Sequence, residues 1–103
     1  MFEPRSASSC RRIFQDDFAR AFRGAHEVVL ASVFRSSLPK EERLSEDDLV
    51  ADLRANGVPA RHLPDVDTIV REISAEAQPG DTIVIMSNGG FGGIHKKLIE
   101  ALP

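Results

Sequence analysis

Near the start of the chain, Phe14, Phe18 and Phe22 fall at i, i+4 and i+8, so three rings share one helical face, with Gln15, Asp16 and Asp17 opposite. This spacing predicts a helix over residues 12–23, stopped by Gly24. The pattern then changes: Val28, Val29, Leu30 and Ala31 form a short, continuously apolar run, which suits a strand buried on both faces. A polar loop over residues 36–43 follows. Ser45 with Asp48 three positions later predicts an N-cap and an acidic first turn, and Leu49, Val50 and Leu53 give the stripe of a second helix that ends at Gly57.

Arg61, His62 and Leu63 lie between Pro59 and Pro64, which leaves room only for a short strand near a sheet edge, because proline cannot donate to a ladder. Asp65 is expected to cap a third helix whose buried face is Val66, Ile69, Val70 and Ile73, closed off by Pro79 and Gly80. Residues 82–86 are apolar on both faces and rich in β-branched side chains; they read as the strongest strand, at the centre of a sheet. Ile94, Leu98 and Leu102 mark one side of a last helix. With a strand entered at Met1 and Phe2, strand and helix alternate four times. That order predicts an α/β, Rossmann-like three-layer domain with a mostly parallel sheet, right-handed crossovers and helices on both faces. Met1 and Phe2 stand directly before Glu3, Pro4 and Arg5 as though a strand were entered halfway. Residues 1–103 are therefore expected to be one domain, entered at a natural or an imposed cut.

At 103 residues the chain fits a single domain with a small core. Hydrophobic residues at 42% and charged residues at 28% exclude a disordered or fibrous chain. The net charge of −3, with Lys and Arg gathered only in pairs such as Arg11-Arg12 and Lys96-Lys97, argues against nucleic acid as a partner. No apolar run is long enough to span a bilayer or form a signal segment, and Cys10 is alone, so no membrane partner and a cytoplasmic location are expected. His26 and His62 have no metal-ligand spacing to each other or to Cys10, and no metal is expected.

Open parallel sheets bind ligands at the carboxyl ends of their strands, which singles out three segments: residues 3–6, 32–35 and 87–93. The third places four glycines within five residues between a strand and a helix, where the backbone can approach a ligand and aim amide hydrogens at it. Ser87, Asn88, Gly89, Gly90, Phe91, Gly92 and Gly93 are the candidate lining. The loop is no dinucleotide fingerprint, since His95 occupies the position of the last glycine, and no Walker loop, since Ile94 replaces the second glycine. Arg5 and Arg35 each follow a strand, where a guanidinium either grips a carboxylate in two bonds or stays solvated. His95, in the first turn of the last helix, either donates to a carboxylate or is a bystander. The residues alone leave three readings: a peptide-binding lobe, a free-standing anion or mononucleotide module, and a structural lobe whose glycine loop only packs against a partner.

The run from Met86 to His95 (Met-Ser-Asn-Gly-Gly-Phe-Gly-Gly-Ile-His) resembles the signature of the carboxy-terminal domain of the Mur ligase family. The likeness is to its murein peptide ligases, which join UDP-N-acetylmuramate to L-alanyl-γ-D-glutamyl-meso-diaminopimelate. Phe2 to Ser6, the turn Val33-Phe34-Arg35, and Leu63 to Val66 are similar to that family in the same order, so the resemblance covers essentially the whole chain. Ala7 departs from it, standing where the family usually has asparagine. The resemblance implies that residues 1–103 are that carboxy-terminal domain lacking its first strand and helix, a lobe that holds the incoming diaminopimelate-containing peptide in peptidoglycan recycling. Arg5, Ser6, Arg35, Ser87, Asn88, the loop through Gly93 and His95 would be substrate-binding, and no residue catalytic. It further implies that ATP, Mg2+ and UDP-N-acetylmuramate are bound by other domains of the parent enzyme, and that this polypeptide alone has no cofactor and no ligase activity. A dimer of the lobe through an exposed sheet edge is left open.

Overall fold

The computed structural model describes residues 1–5, 10–33, 39–87 and 89–102. It contains helices α1 (Gln15–Ala21), α2 (Glu46–Ala55), α3 (Val66–Glu76) and α4 (Ile94–Ala101), and strands β1 (Val28–Leu30) and β2 (Ala60–His62). The strands run parallel, in the register Val28 to Ala60, Val29 to Arg61 and Leu30 to His62. Phe2 extends this small sheet by parallel bridges to Leu30 on one side and Met86 on the other. Its N–H donates to Val29 O and its carbonyl accepts from Ala31 N, while Glu3 N–H donates to Met86 O, each at 2.9 Å. The lateral order is therefore β2, β1, the Phe2 segment and the Met86 segment. It is an α/β arrangement with a parallel sheet.

Alternate residues of β1 enter two separate apolar clusters, as the period of two along a strand requires. Val28 and Leu30 pack with Phe2, with Ala19 of α1 and with Leu49, Val50 and Leu53 of α2. Val29 and Ala31 pack with Ile69 of α3, with Phe91 and with Ile94 of α4. The ring of Phe2 lies 4.9 Å from that of Phe18 and 5.4 Å from that of Phe22, so two of the three periodic phenylalanines close over the sheet. Phe14 is exposed.

The caps form as the sequence predicts. Ser45 Oγ accepts the Asp48 N–H at 3.2 Å, and the Asp65 carboxylate accepts the Thr68 N–H at 2.7 Å. Among the described residues β2 pairs on one side only, at the edge expected for a segment between prolines. Two expectations are corrected. Gln15 is buried rather than solvent-facing: its side-chain oxygen accepts the Ser45 N–H at 3.1 Å and ties α1 to the start of α2. Residues 82–86 are not central. Only Met86 forms a bridge, and Val84 and Met86 are 59% and 44% exposed. A run apolar on both faces reveals burial potential but not lateral position; that is set by which segment carries neighbours on both sides, here the one around Phe2.

Candidate functional site at the strand ends

The sheet order reverses beside the Phe2 segment: the chain steps outward through β1 and β2, then returns to the other flank at Met86. Loops leaving a parallel sheet at such a switch diverge and open a crevice at the carboxyl ends of the strands. Residues 3–5, Ser87 and Gly89 lie there, just beyond the Phe2 and Met86 bridges.

Ser87 Oγ donates to Glu3 Oε1 at 2.6 Å, and the Gly89 N–H donates back to Ser87 Oγ at 3.1 Å. Glu3 is buried to 8% exposure between its neighbours. The half-buried Arg5 lies directly over Gly89, where a Cβ would overlap its Cδ and guanidinium atoms. This close approach explains why residue 89 has no side chain. Phe91, Gly92 and Gly93 then take φ of 48°, 58° and 73°, three successive left-handed residues that swing the chain into α4. Phe91 adopts this disfavoured conformation with its ring fully buried against the α3 and α4 cluster. At Gly92 a Cβ would stand 2.9 Å from Val66 Cγ2.

Of the residues singled out in the sequence, the fold brings Arg5, Ser87 and Gly89 together. Phe91 belongs to the core and, as a fully buried residue, presents no surface to a ligand. His95 is exposed on the first turn of α4. Ser6, Arg35 and Asn88 lie outside the described residues. Several loop amides already have internal partners: Gly89 bonds Ser87, Gly93 bonds Gly90 O at 3.0 Å, and Ile94 bonds Phe91 O. The Gly90 amide has none among the described residues. Sequence reasoning included Glu3 in the segment 3–6 but gave it no role; its burial between Phe2 and Pro4 is set by the pairing of that segment with both flanks.

A second polar group stands at the ends of β1 and β2. Ser32 Oγ lies 3.0 Å from His62 Nε2, and Glu46 at the start of α2 accepts the Val33 N–H at 3.2 Å, its carboxylate 3.8 Å from His62. His62, Val33 and Glu46 border a cleft of about 710 Å3 that also meets Arg12, Arg43 and Asp47. His62 carries no motif; only the parallel register, which sets Leu30 beside His62, places it there. Among the described residues no three His, Cys, Asp or Glu side chains stand close enough to hold a metal.

No family model matches the chain. Over 103 residues it is 40% identical to the UDP-N-acetylmuramate–L-alanyl-gamma-D-glutamyl-meso-2,6-diaminoheptandioate ligase of Escherichia coli (strain K12), a match covering 99% of this chain and 20% of that protein. It is 38% identical to the ligase of the same name from Haemophilus influenzae, with the same coverage. A crystallised domain of a ligase of this kind from Haemophilus ducreyi shares 35% identity over 85% of this chain and 78% of that chain, with a TM-score of 0.49. The chain belongs to the Mur ligase family. It spans about a fifth of the length of the curated relatives it matches, and so corresponds to one domain of a Mur ligase. None of the helices in this Mur ligase domain is long and apolar enough to cross a membrane, among the described residues.

Proposed function

We propose that this chain is the carboxy-terminal, peptide-holding domain of a cytoplasmic ligase that joins UDP-N-acetylmuramate to L-alanyl-γ-D-glutamyl-meso-diaminopimelate in peptidoglycan recycling. Its architecture on this reading is the three-layer, Rossmann-like one, without the first strand and helix. The observation that carries the reading is Arg5 seated over Gly89 at the switch of the parallel sheet, a fixed guanidinium beside a bend with an open amide. The names of the related ligases supply the peptide class. In the parent, ATP would phosphorylate the muramoyl carboxylate, leaving ADP, and the peptide amine would attack the acyl phosphate with loss of phosphate; the part of this domain is to hold the amine in line. On this reading nucleotide and metal belong to the rest of the parent.

Titration of the isotope-labelled domain with the tripeptide is expected to shift the Gly89 and Gly90 amides and the Arg5 side-chain resonance, while ATP shifts none of them. Binding of ATP or FMN at this loop without any response to the tripeptide would overturn the proposal in favour of a mononucleotide module. The purified domain is expected to release no ADP with tripeptide, UDP-N-acetylmuramate and ATP present. A second reading, a lobe that binds nothing until the rest of the ligase closes over it, draws on the internal partners of the Gly89, Gly93 and Ile94 amides, because a one-walled site loses affinity. It predicts silence toward every ligand in the same titration.

A further inference from the structure

The molecule holds one buried carboxyl group at the candidate site that the proposed peptide contacts leave without a role. Glu3 belongs to the segment with sheet neighbours on both sides, its backbone N–H is bonded to Met86 O, and its side chain is more than nine-tenths buried. A carboxyl oxygen removed from water needs a donor, and the donor here is Ser87, 84 positions away in sequence, at 2.6 Å. A hydroxyl has one proton. With that proton directed at Glu3, the Ser87 oxygen is left as an acceptor, and it takes the Gly89 N–H at 3.1 Å. The chain of donors therefore runs in one direction, from Gly89 through Ser87 to Glu3, and it ends under the residue on which Arg5 rests.

We propose that Glu3 is the positioning residue of the glycine-rich loop: by accepting the Ser87 hydroxyl it fixes the bend at Gly89 and so the seat of Arg5. One consequence is that Ser87 has no proton to offer an anion, and any carboxylate arriving at the crevice is taken by Arg5 and by amides beyond Gly89. The ligand part of this proposal rests on the peptide-binding reading above, but the loop part does not.

The test measures solvent exchange of the Gly89 amide and tripeptide affinity in Glu3→Ala, Glu3→Gln and Ser87→Ala. Loss of a hydrogen bond of ordinary strength corresponds to about a tenfold change. Gly89 exchange is expected to rise about tenfold in Ser87→Ala and Glu3→Ala, with tripeptide affinity falling by about the same factor. Glu3→Gln retains a carbonyl acceptor in the same place and is expected to restore both to within about threefold of the parent chain. Because Ser87→Ala also removes the Gly89 acceptor directly, the role of Glu3 is read from Glu3→Ala against Glu3→Gln. Glu3→Leu, which fills the buried place without an acceptor and is expected to raise Gly89 exchange as Glu3→Ala does, decides the matter where Glu3→Ala fails to fold. Unchanged Gly89 exchange in Ser87→Ala, or no rescue by Glu3→Gln, overturns the proposal. Absence of tripeptide binding by the parent chain would instead sink the peptide reading, with the exchange data still deciding the role of Glu3.

Discussion

The left-handed stretch that leads into α4 separates glycines needed for their backbone from those that merely lie nearby. Gly92 has φ 58° and the Val66 methyl 2.9 Å from the place of its missing Cβ, whereas Gly90 has φ −73° and nothing near. Gly92→Ala is therefore expected to cost about 1–2 kcal/mol of backbone strain, with an added penalty from displacing Val66. Gly90→Ala should change stability by less than about 0.5 kcal/mol. Urea denaturation of the two variants checks the contrast, and equal losses would contradict the assigned conformations. The sequence showed four clustered glycines but could not distinguish these roles, because φ and the approach of Val66 are fixed by how α3 and α4 pack.

At the scale of elements, the helix starts are the most legible features, since an N-cap is decided by residues within one turn. Ser45→Ala removes the acceptor for the Asp48 N–H and is expected to cost about 1 kcal/mol, read from the urea midpoint. The start of α3 carries a pH signature. The Thr68 N–H holds the Asp65 carboxyl below its ordinary value, and at the other end of the helix hydrogen bonding to Arg61 does the same for Glu76. Groups with depressed folded values bind fewer protons folded than unfolded, so their stabilisation is complete above the unfolded values near 3.8 and 4.5 and is lost as pH falls through the folded ones. Melting temperature should accordingly be level from neutral pH to about 5 and decline below it. Asp65→Asn with Glu76→Gln should flatten that decline, and an unchanged acid limb would show that other carboxylates control it. Arg61, which also meets Glu27 and Glu72, was read only as part of an edge strand; its carboxylate partners come from α3 and from the approach to β1, distant in sequence.

For the whole molecule, the decisive segment is the one around Phe2, which joins β1 to the Met86 segment through its backbone and closes the α1 and α2 face through its ring. Phe2→Ala is expected to cost about 3–5 kcal/mol, more than the loss of any cap, and to lower the melting temperature accordingly. A cost near 1 kcal/mol would mean that the two flanks are held together some other way. The four helices, β1, the caps and the apolar faces of α2 and α3 were legible in the sequence, because each depends on periodicity or on neighbours a few residues apart. The strands expected at the start and over residues 82–86 are instead reduced to isolated bridges at Phe2 and Met86. Lateral order was not legible. Residues 82–86 carry the stronger strand pattern yet lie on the flank, and Glu3, Arg5, Ser87 and Gly89 meet only because two chain segments more than eighty residues apart leave a parallel sheet at the same switch. Hydrophobic pattern encodes which groups leave water; which of them become neighbours is decided when the segments pair, and the candidate site is made of those pairings.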